Sequence, residues 1–216
     1  YSNPFTGSGT EESVTKITRD DLIKFHNTWY VPNNSVLVVV GDIKENELKS
    51  KLEKSLLAWK SKTVPEKNIQ KVPLPTSQSV YIIDKPGALQ SIIFAAEVSS
   101  SGQDADYEAI KMSNRILGGE FTSRINMNLR EGKHWSYGAF SFNLDAKGTG
   151  FFTGFAPVQT DKTKESVSEL MKEFKQFVTD KPSTEEECKK TKGNAVLQLP
   201  GNWETNSSVV NTLQKN

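Results

Sequence analysis

The chain has 216 residues, of which 35% are hydrophobic and 25% charged, proportions of a folded chain with room for a sizeable core rather than of a disordered or fibrous one. Its 27 Lys and Arg against 26 Asp and Glu give a formal charge of +1, so bulk electrostatics make no case for nucleic acid or an anionic membrane. The single Cys188 excludes an internal disulfide framework, and no apolar run is long enough to span a membrane.

The start, YSNPFTGSGTEES, is polar, carries no signal-peptide pattern and lacks an initiator Met, which points to a piece of a longer polypeptide. Thr18 with Asp21 resembles a capping box, and Leu22, Phe25 and Trp29 recur at helical spacing behind it. After the turn Pro32-Asn33-Asn34, the β-branched run from Ser35 to Val40 predicts a buried strand. Leu48, Leu52, Leu56 and Trp59 mark one face of a second helix. Lys60 to Pro75 holds three prolines without periodicity and reads as a loop or linker.

Ser79 to Asp84 and Ser91 to Val98 predict two strands, and the Pro86-Gly87 pair between them predicts a hairpin. A helix starting at Asp104 or Asp106 then leads into Leu117 to Ser141, LGGEFTSRINMNLREGKHWSYGAFS. Within it Gly118 and Gly119 break the helix and read as a tight interhelical turn. Thr122 or Ser123 can cap a new helix, Ile125 and Leu129 give that helix an apolar side, and Gly132 ends it. Ser136 to Leu144 alternates as a strand, and Gly150 to Val158 forms its hairpin partner across a turn at Lys147-Gly148. Val167, Leu170, Phe174, Phe177 and Val178 make an amphipathic helix, and Thr184 with Glu187 caps another that runs to Leu199. Asn202 to Asn216 is polar with no closing element. Adjacent strands separated by helix pairs argue for an α+β fold, a mostly antiparallel sheet with helices packed on one face.

The chemistry these residues support is narrow. His26 and His134 are the only histidines, lie far apart, and neither stands with another histidine or a Cys at metal-binding spacing, so no metal site is expected within this chain. Cys188 sits in a charged helix without a basic catalytic partner, and no Gly-x-Ser-x-Gly elbow occurs, so no catalytic residue is assigned. Arg130 and Tyr137 stand out, one at a helix end and one near a strand start, where they could meet across a short loop. Arg presents a planar fork of donors to a carboxylate or a peptide carbonyl, and a Tyr hydroxyl adds another. The other reading pairs Arg130 with Glu131 or Asp145 and packs Tyr137 in the sheet.

The stretch from Leu117 to Ser141 resembles the signature of the second domain in the pitrilysin or insulinase family of zinc peptidases, which includes the mitochondrial processing peptidase. Leu117, Gly118, Gly119, Phe121, Ser123, Arg124, Leu129, Arg130, Glu131, Tyr137 and Gly138 carry the match, and FHNTWYVPNNSVLVVVGDI is similar to the family's segment between repeats. The resemblance implies a processing-peptidase-type domain that is the non-zinc half. It lacks the family's His-x-x-Glu-His and is by itself inactive. Zinc is then expected in a homologous domain or subunit, with Arg130 and Tyr137 binding the peptide substrate opposite the metal. His134 and Trp135 stand where the family pattern has Gly and a hydrophobic residue. On this reading residues 1–60 close a preceding repeat and open the domain, 61–75 link, and 76–216 form the main C-terminal domain, truncated at its end. The resemblance also suggests a bacterial periplasmic or cell-envelope setting. An inactive scaffold of the same family is the alternative.

Overall fold

The structure, a computed structural model, describes residues 9–66, 72–144, 146 and 148–215. In chain order it runs α1 (Glu11–Lys16), α2 (Arg19–Trp29), α3 (Glu45–Leu56), β1 (Gln90–Ser101) and α4 (Tyr107–Asn114), which continues through a wider π-helical turn, Arg115–Gly119. Next come α5 (Arg124–Asn126), continued by a second wide turn at Met127–Gly132, then β2 (Phe140–Leu144), β3 (Thr149–Gln159), α6 (Thr163–Val178), α7 (Glu185–Gln198) and α8 (Asn206–Lys215). The chain divides into two compact units, Tyr1–Asn68 with Leu197–Asn216, and Ile69–Val196.

In the first unit local signals set the helices. Thr18 Oγ1 accepts from the Asp21 N–H at 3.2 Å while the Asp21 carboxylate accepts from the Thr18 N–H at 2.9 Å, the reciprocal cap expected for α2. The Trp59 indole donates to the Tyr30 carbonyl at 3.1 Å, and Asn33 exchanges hydrogen bonds with the backbone of Lys62, which fastens the loop after α3. The strand expected over Ser35 to Val40 does not form, and Val36 is 91% exposed. A β-branched run favours a strand only where a neighbouring strand completes its ladder, and none pairs with it among the described residues. The last residues differ as well, because Ser208 N–H bonds to Thr205 Oγ1 at 3.1 Å and α8 follows.

The second unit holds a three-stranded antiparallel sheet in the order β1-β3-β2. Phe94 lies opposite Phe155, which lies opposite Phe140. Ile93, Ala139, Ala156 and Val158 pack with Leu117, Ile125, Leu129 and Leu170, so the helices cover one face of the sheet, as an α+β chain requires. The opposite face carries Ile92, Phe94 and Phe142, all exposed. Full burial of a side chain such as Leu129 contributes about 2 kcal/mol.

The hairpin between β2 and β3 forms as expected, with Asn143 opposite Phe152, although β2 begins only at Phe140; the expected turn residue Lys147 lies outside the described residues. The hairpin expected around Pro86-Gly87 does not form. Ala88 N–H bonds to the Lys85 carbonyl at 3.1 Å and Gly87 has φ +79°, so Pro86-Gly87 makes a type II turn. That turn twists against the natural twist of paired strands and splays them. Val80 to Ile83 are accordingly 86–91% exposed, and β1 pairs with β3 instead. Within the expected linker, residues 67–71 lie outside the described residues.

Candidate functional site

Leu117 to Ser141 forms the junction between the helices and β2. The end of α4 is pressed against β2 by Gly118, where a Cβ would come within 2.5 Å of the Ser141 backbone nitrogen. Asn114 reinforces the contact, donating to the Ser141 carbonyl at 2.9 Å and accepting from the Ser141 hydroxyl at 2.6 Å. Gly118 and Gly119 are therefore the last two residues of the wide turn, and the chain turns extended at Glu120.

Ser123 occupies the N-cap position of α5, although its hydroxyl makes no capping bond. Ile125 and Leu129 are fully buried on one side of this helix, as their spacing predicts. Arg124 points toward the start of α7. Its guanidinium grips Glu187 with Nε at 2.7 Å and Nη2 at 2.6 Å, donates to the carbonyls of Lys181 and Pro182, and lies over the Phe177 ring. The Arg124 hydrogen bonds, aided by those of Thr184, hold the Glu187 carboxyl down to about 2 although burial opposes this, and Glu187 in turn raises the Arg124 value.

Arg130 lies near the helix end with its guanidinium carbon 4.5 Å from the centroid of the Phe121 ring and its Nε 3.3 Å from Glu131. The expected ion pair with Glu131 is thus present; Asp145, the other expected partner, lies outside the described residues. The ion pair occupies Nε, and among the described residues no hydrogen bond occupies the two terminal nitrogens of the Arg130 fork.

Beyond the helix the chain reverses at His134, whose φ of 59° is left-handed. Ser136 then sets a bend. Its hydroxyl donates to the Pro157 carbonyl on β3 at 2.5 Å and accepts from the Gly138 N–H at 3.1 Å. The bend throws Tyr137 outward, 87% exposed, so Tyr137 does not pack in the sheet. No hydrogen bond or ring contact joins Arg130 to Tyr137 among the described residues. What links their neighbourhoods is Asn126, fully buried, whose Nδ2 donates to the Phe121 carbonyl at 2.7 Å and whose Oδ1 accepts from the Ala139 N–H at 3.1 Å. Sequence reasoning missed Asn126, Ser136 and the second role of Glu187, because a side chain that bonds backbone 13 residues away leaves no periodic trace.

No group of three or more His, Cys, Asp or Glu side chains is placed to hold a metal among the described residues. His26 is stacked on Tyr30 at 4.9 Å and His134 serves the chain reversal, so neither belongs to a ligand set that fits zinc. No helix among the described residues is long and apolar enough to cross a membrane.

Residues 16–194 match the family described as peptidase M16 inactive domain. The chain is 25% identical over 195 residues to the uncharacterized zinc protease YmxG of Bacillus subtilis, covering 88% of this chain and 46% of that protein. It is 26% identical over 204 residues to the non-peptidase homolog YmxG of Helicobacter pylori, covering 94% of this chain and 46% of that one. The chain therefore spans about half the length of the curated relatives it matches. A crystal structure of a peptidase M16 inactive domain from Pseudomonas fluorescens superposes with a TM-score of 0.85 at 23% identity, over 96% of this chain and 48% of that one. A protease from Helicobacter pylori superposes at 0.83 with 22% identity, over 93% and 49%. At these identities the structural likenesses establish the fold.

Proposed function

The chain belongs to the family of peptidase M16 inactive domains, and from that premise we propose that it is the substrate-holding, non-zinc half of a zinc peptidase, with Arg130 and Tyr137 as the peptide-binding pair. The observation that carries this reading is Tyr137 itself. A large aromatic side chain is held out of the core, 87% exposed, by a bend that Ser136 pins to β3, and its hydroxyl makes no hydrogen bond among the described residues, which suits it to a ligand. The Arg130 guanidinium lies over the Phe121 ring with its terminal nitrogens turned to no protein acceptor among the described residues, which suits it to a carboxylate or a peptide carbonyl.

In this reading the zinc would be held by a homologous domain or subunit, and when bound it would supply Lewis-acid polarisation of the scissile carbonyl and an activated water. The work of this chain is positional. Arg130 fixes the peptide backbone, and Tyr137 donates to a neighbouring oxygen, so that the bond to be broken is held in register with chemistry supplied elsewhere. Strand addition to β2 is restricted near this pair, because Asn126 occupies the Ala139 N–H and Asn114 the Ser141 carbonyl, so side-chain donors carry the recognition.

The test is cleavage of a fluorogenic peptide by the protein or complex that contains the zinc half. Arg130→Ala and Tyr137→Phe should each lower kcat/KM by about tenfold to a hundredfold, the scale of a lost hydrogen bond to a charged or reacting group, with an unchanged unfolding temperature. Peptide affinity and turnover equal to wild type in both variants would sink the proposal. A second reading, an inactive scaffold, is favoured by one observation: a relative 26% identical to this chain is named a non-peptidase homolog. On that reading both substitutions are silent in any peptide assay and only assembly responds to surface changes.

A further inference from the structure

We infer that Asn126 is a positioning residue for this site, setting the place of Arg130, through Phe121, relative to Tyr137; the inference rests on the peptide-binding reading of that pair. Asn126 is fully buried and its carboxamide is used at both ends, Nδ2 to the Phe121 carbonyl and Oδ1 to the Ala139 N–H. Only one orientation of the amide satisfies both partners, since a carbonyl needs the donor and an N–H needs the acceptor. The side chain thereby ties the segment before α5 to the start of β2.

Each tie ends on backbone beside one half of the pair. Phe121 supplies the ring beneath the Arg130 guanidinium at 4.5 Å, and it does so although it is 55% exposed, so its backbone anchor decides where the ring lies. Ala139 follows the Ser136–Gly138 bend that holds Tyr137 outward. With no hydrogen bond or ring contact between Arg130 and Tyr137 among the described residues, Asn126 is the side chain that ties the backbone of Phe121, beneath Arg130, to that of Ala139, beyond the Tyr137 bend. A packing role alone would be served by an apolar residue of similar volume. The two opposed hydrogen bonds require an amide.

The substitution that separates the two roles is Asn126→Asp, which keeps the volume and the acceptor for Ala139 but sets a carboxylate oxygen against the Phe121 carbonyl. In the full chain, NMR reads the Arg130 δ protons, which the Phe121 ring beneath the guanidinium should shift upfield in wild type. Phe121→Ala, on an exposed ring, should return them to ordinary arginine positions. Asn126→Asp should do the same with spectral dispersion retained, and should weaken binding of a fluorescein-labelled alanine-serine peptide about tenfold, with no further loss when Arg130→Ala is added. A folded Asn126→Asp chain with wild-type Arg130 resonances and peptide affinity overturns the inference. So does a wild-type chain in which the Arg130 δ protons show no ring shift, or in which the Ala139 amide exchanges freely, whether or not the variant folds. If Asn126→Asp moves the Arg130 resonances while neither it nor Arg130→Ala changes peptide affinity, the positioning stands and the peptide-binding reading falls.

Discussion

Gly118 and Ser141 approach so closely that a Cβ on Gly118 would lie 2.2 Å from the Ser141 hydroxyl oxygen and 2.5 Å from its backbone nitrogen. A hydroxyl can rotate away, but a backbone nitrogen within β2 cannot move without dragging the strand. Gly118→Ala should therefore destabilise the chain by about 2–3 kcal/mol, the overpacking cost outweighing the roughly 1 kcal/mol that alanine gains over glycine in a helix. Gly119→Ala is the control, because its nearest neighbours are Asn114 atoms at 3.1 Å. It should stay within about 1 kcal/mol of wild type. Urea unfolding compares the two, and equal midpoints for Gly118→Ala and wild type would show that the helix does not press on β2 as described.

The grip of Arg124 on Glu187 has a pH signature. The Glu187 carboxyl is lowered from its ordinary 4.5 to about 2, first by the Arg124 hydrogen bonds, so the unfolded chain binds this proton more readily than the folded one. Its stabilisation is fully present above about pH 4.5 and is lost as the pH falls toward 2. With the pair partly exposed, its size is about 1–3 kcal/mol after solvent screening. Glu187→Gln should lower the urea midpoint at pH 7 and flatten the decline of stability between those pH values. An acid unfolding profile identical to wild type would place the charge pairing elsewhere.

His134 carries a left-handed backbone, which costs a residue with a Cβ about 1–2 kcal/mol, whereas glycine adopts it freely and loses about 0.5–1 kcal/mol through its greater unfolded-state entropy. The backbone bonds here, His134 N–H to the Arg130 carbonyl and Gln159 Nε2 to the His134 carbonyl, survive any side-chain change. His134→Gly should therefore stabilise by about 0.5–1 kcal/mol. Thermal unfolding decides the sign, and a clear loss of stability would mean that the imidazole makes contacts outweighing the strain.

What the sequence disclosed was local. Capping boxes at Thr18 and Thr184, the buried pair Ile125 and Leu129, and Leu170, Phe174 and Phe177 on the core side of α6 are signals within one or two helical turns, and they formed, whereas Val167 and Val178, expected on the same face of α6, stay exposed. The strand runs at Ser35 to Val40 and Ser79 to Asp84 had the right composition but depended on neighbours that composition does not name. In the second case the type of turn at Pro86-Gly87, set by one dihedral, decided the outcome. Arg130 and Tyr137 could be picked out as residues of interest. That one would lie on Phe121 and the other on a bend pinned by Ser136 could not, because both arrangements depend on contacts that arise only when β3 and the helices are in place.

Arg130→Lys separates a fork from a point charge. Lysine keeps the positive charge but loses the planar pair of terminal donors and stacks less well on Phe121. If Arg130 grips a carboxylate or carbonyl through its fork, Arg130→Lys should recover little of the loss caused by Arg130→Ala, and peptide affinity should stay about tenfold below wild type at moderate salt. If charge alone mattered, the lysine variant would bind nearly as well as wild type, and binding would weaken steeply as salt shortened the Debye length. Fluorescence anisotropy of a labelled peptide, titrated at low and high salt with its C-terminus either free or amidated, resolves both points. Equal affinity for the two peptides assigns the fork to a backbone carbonyl, and a preference for the free acid assigns it to the terminal carboxylate.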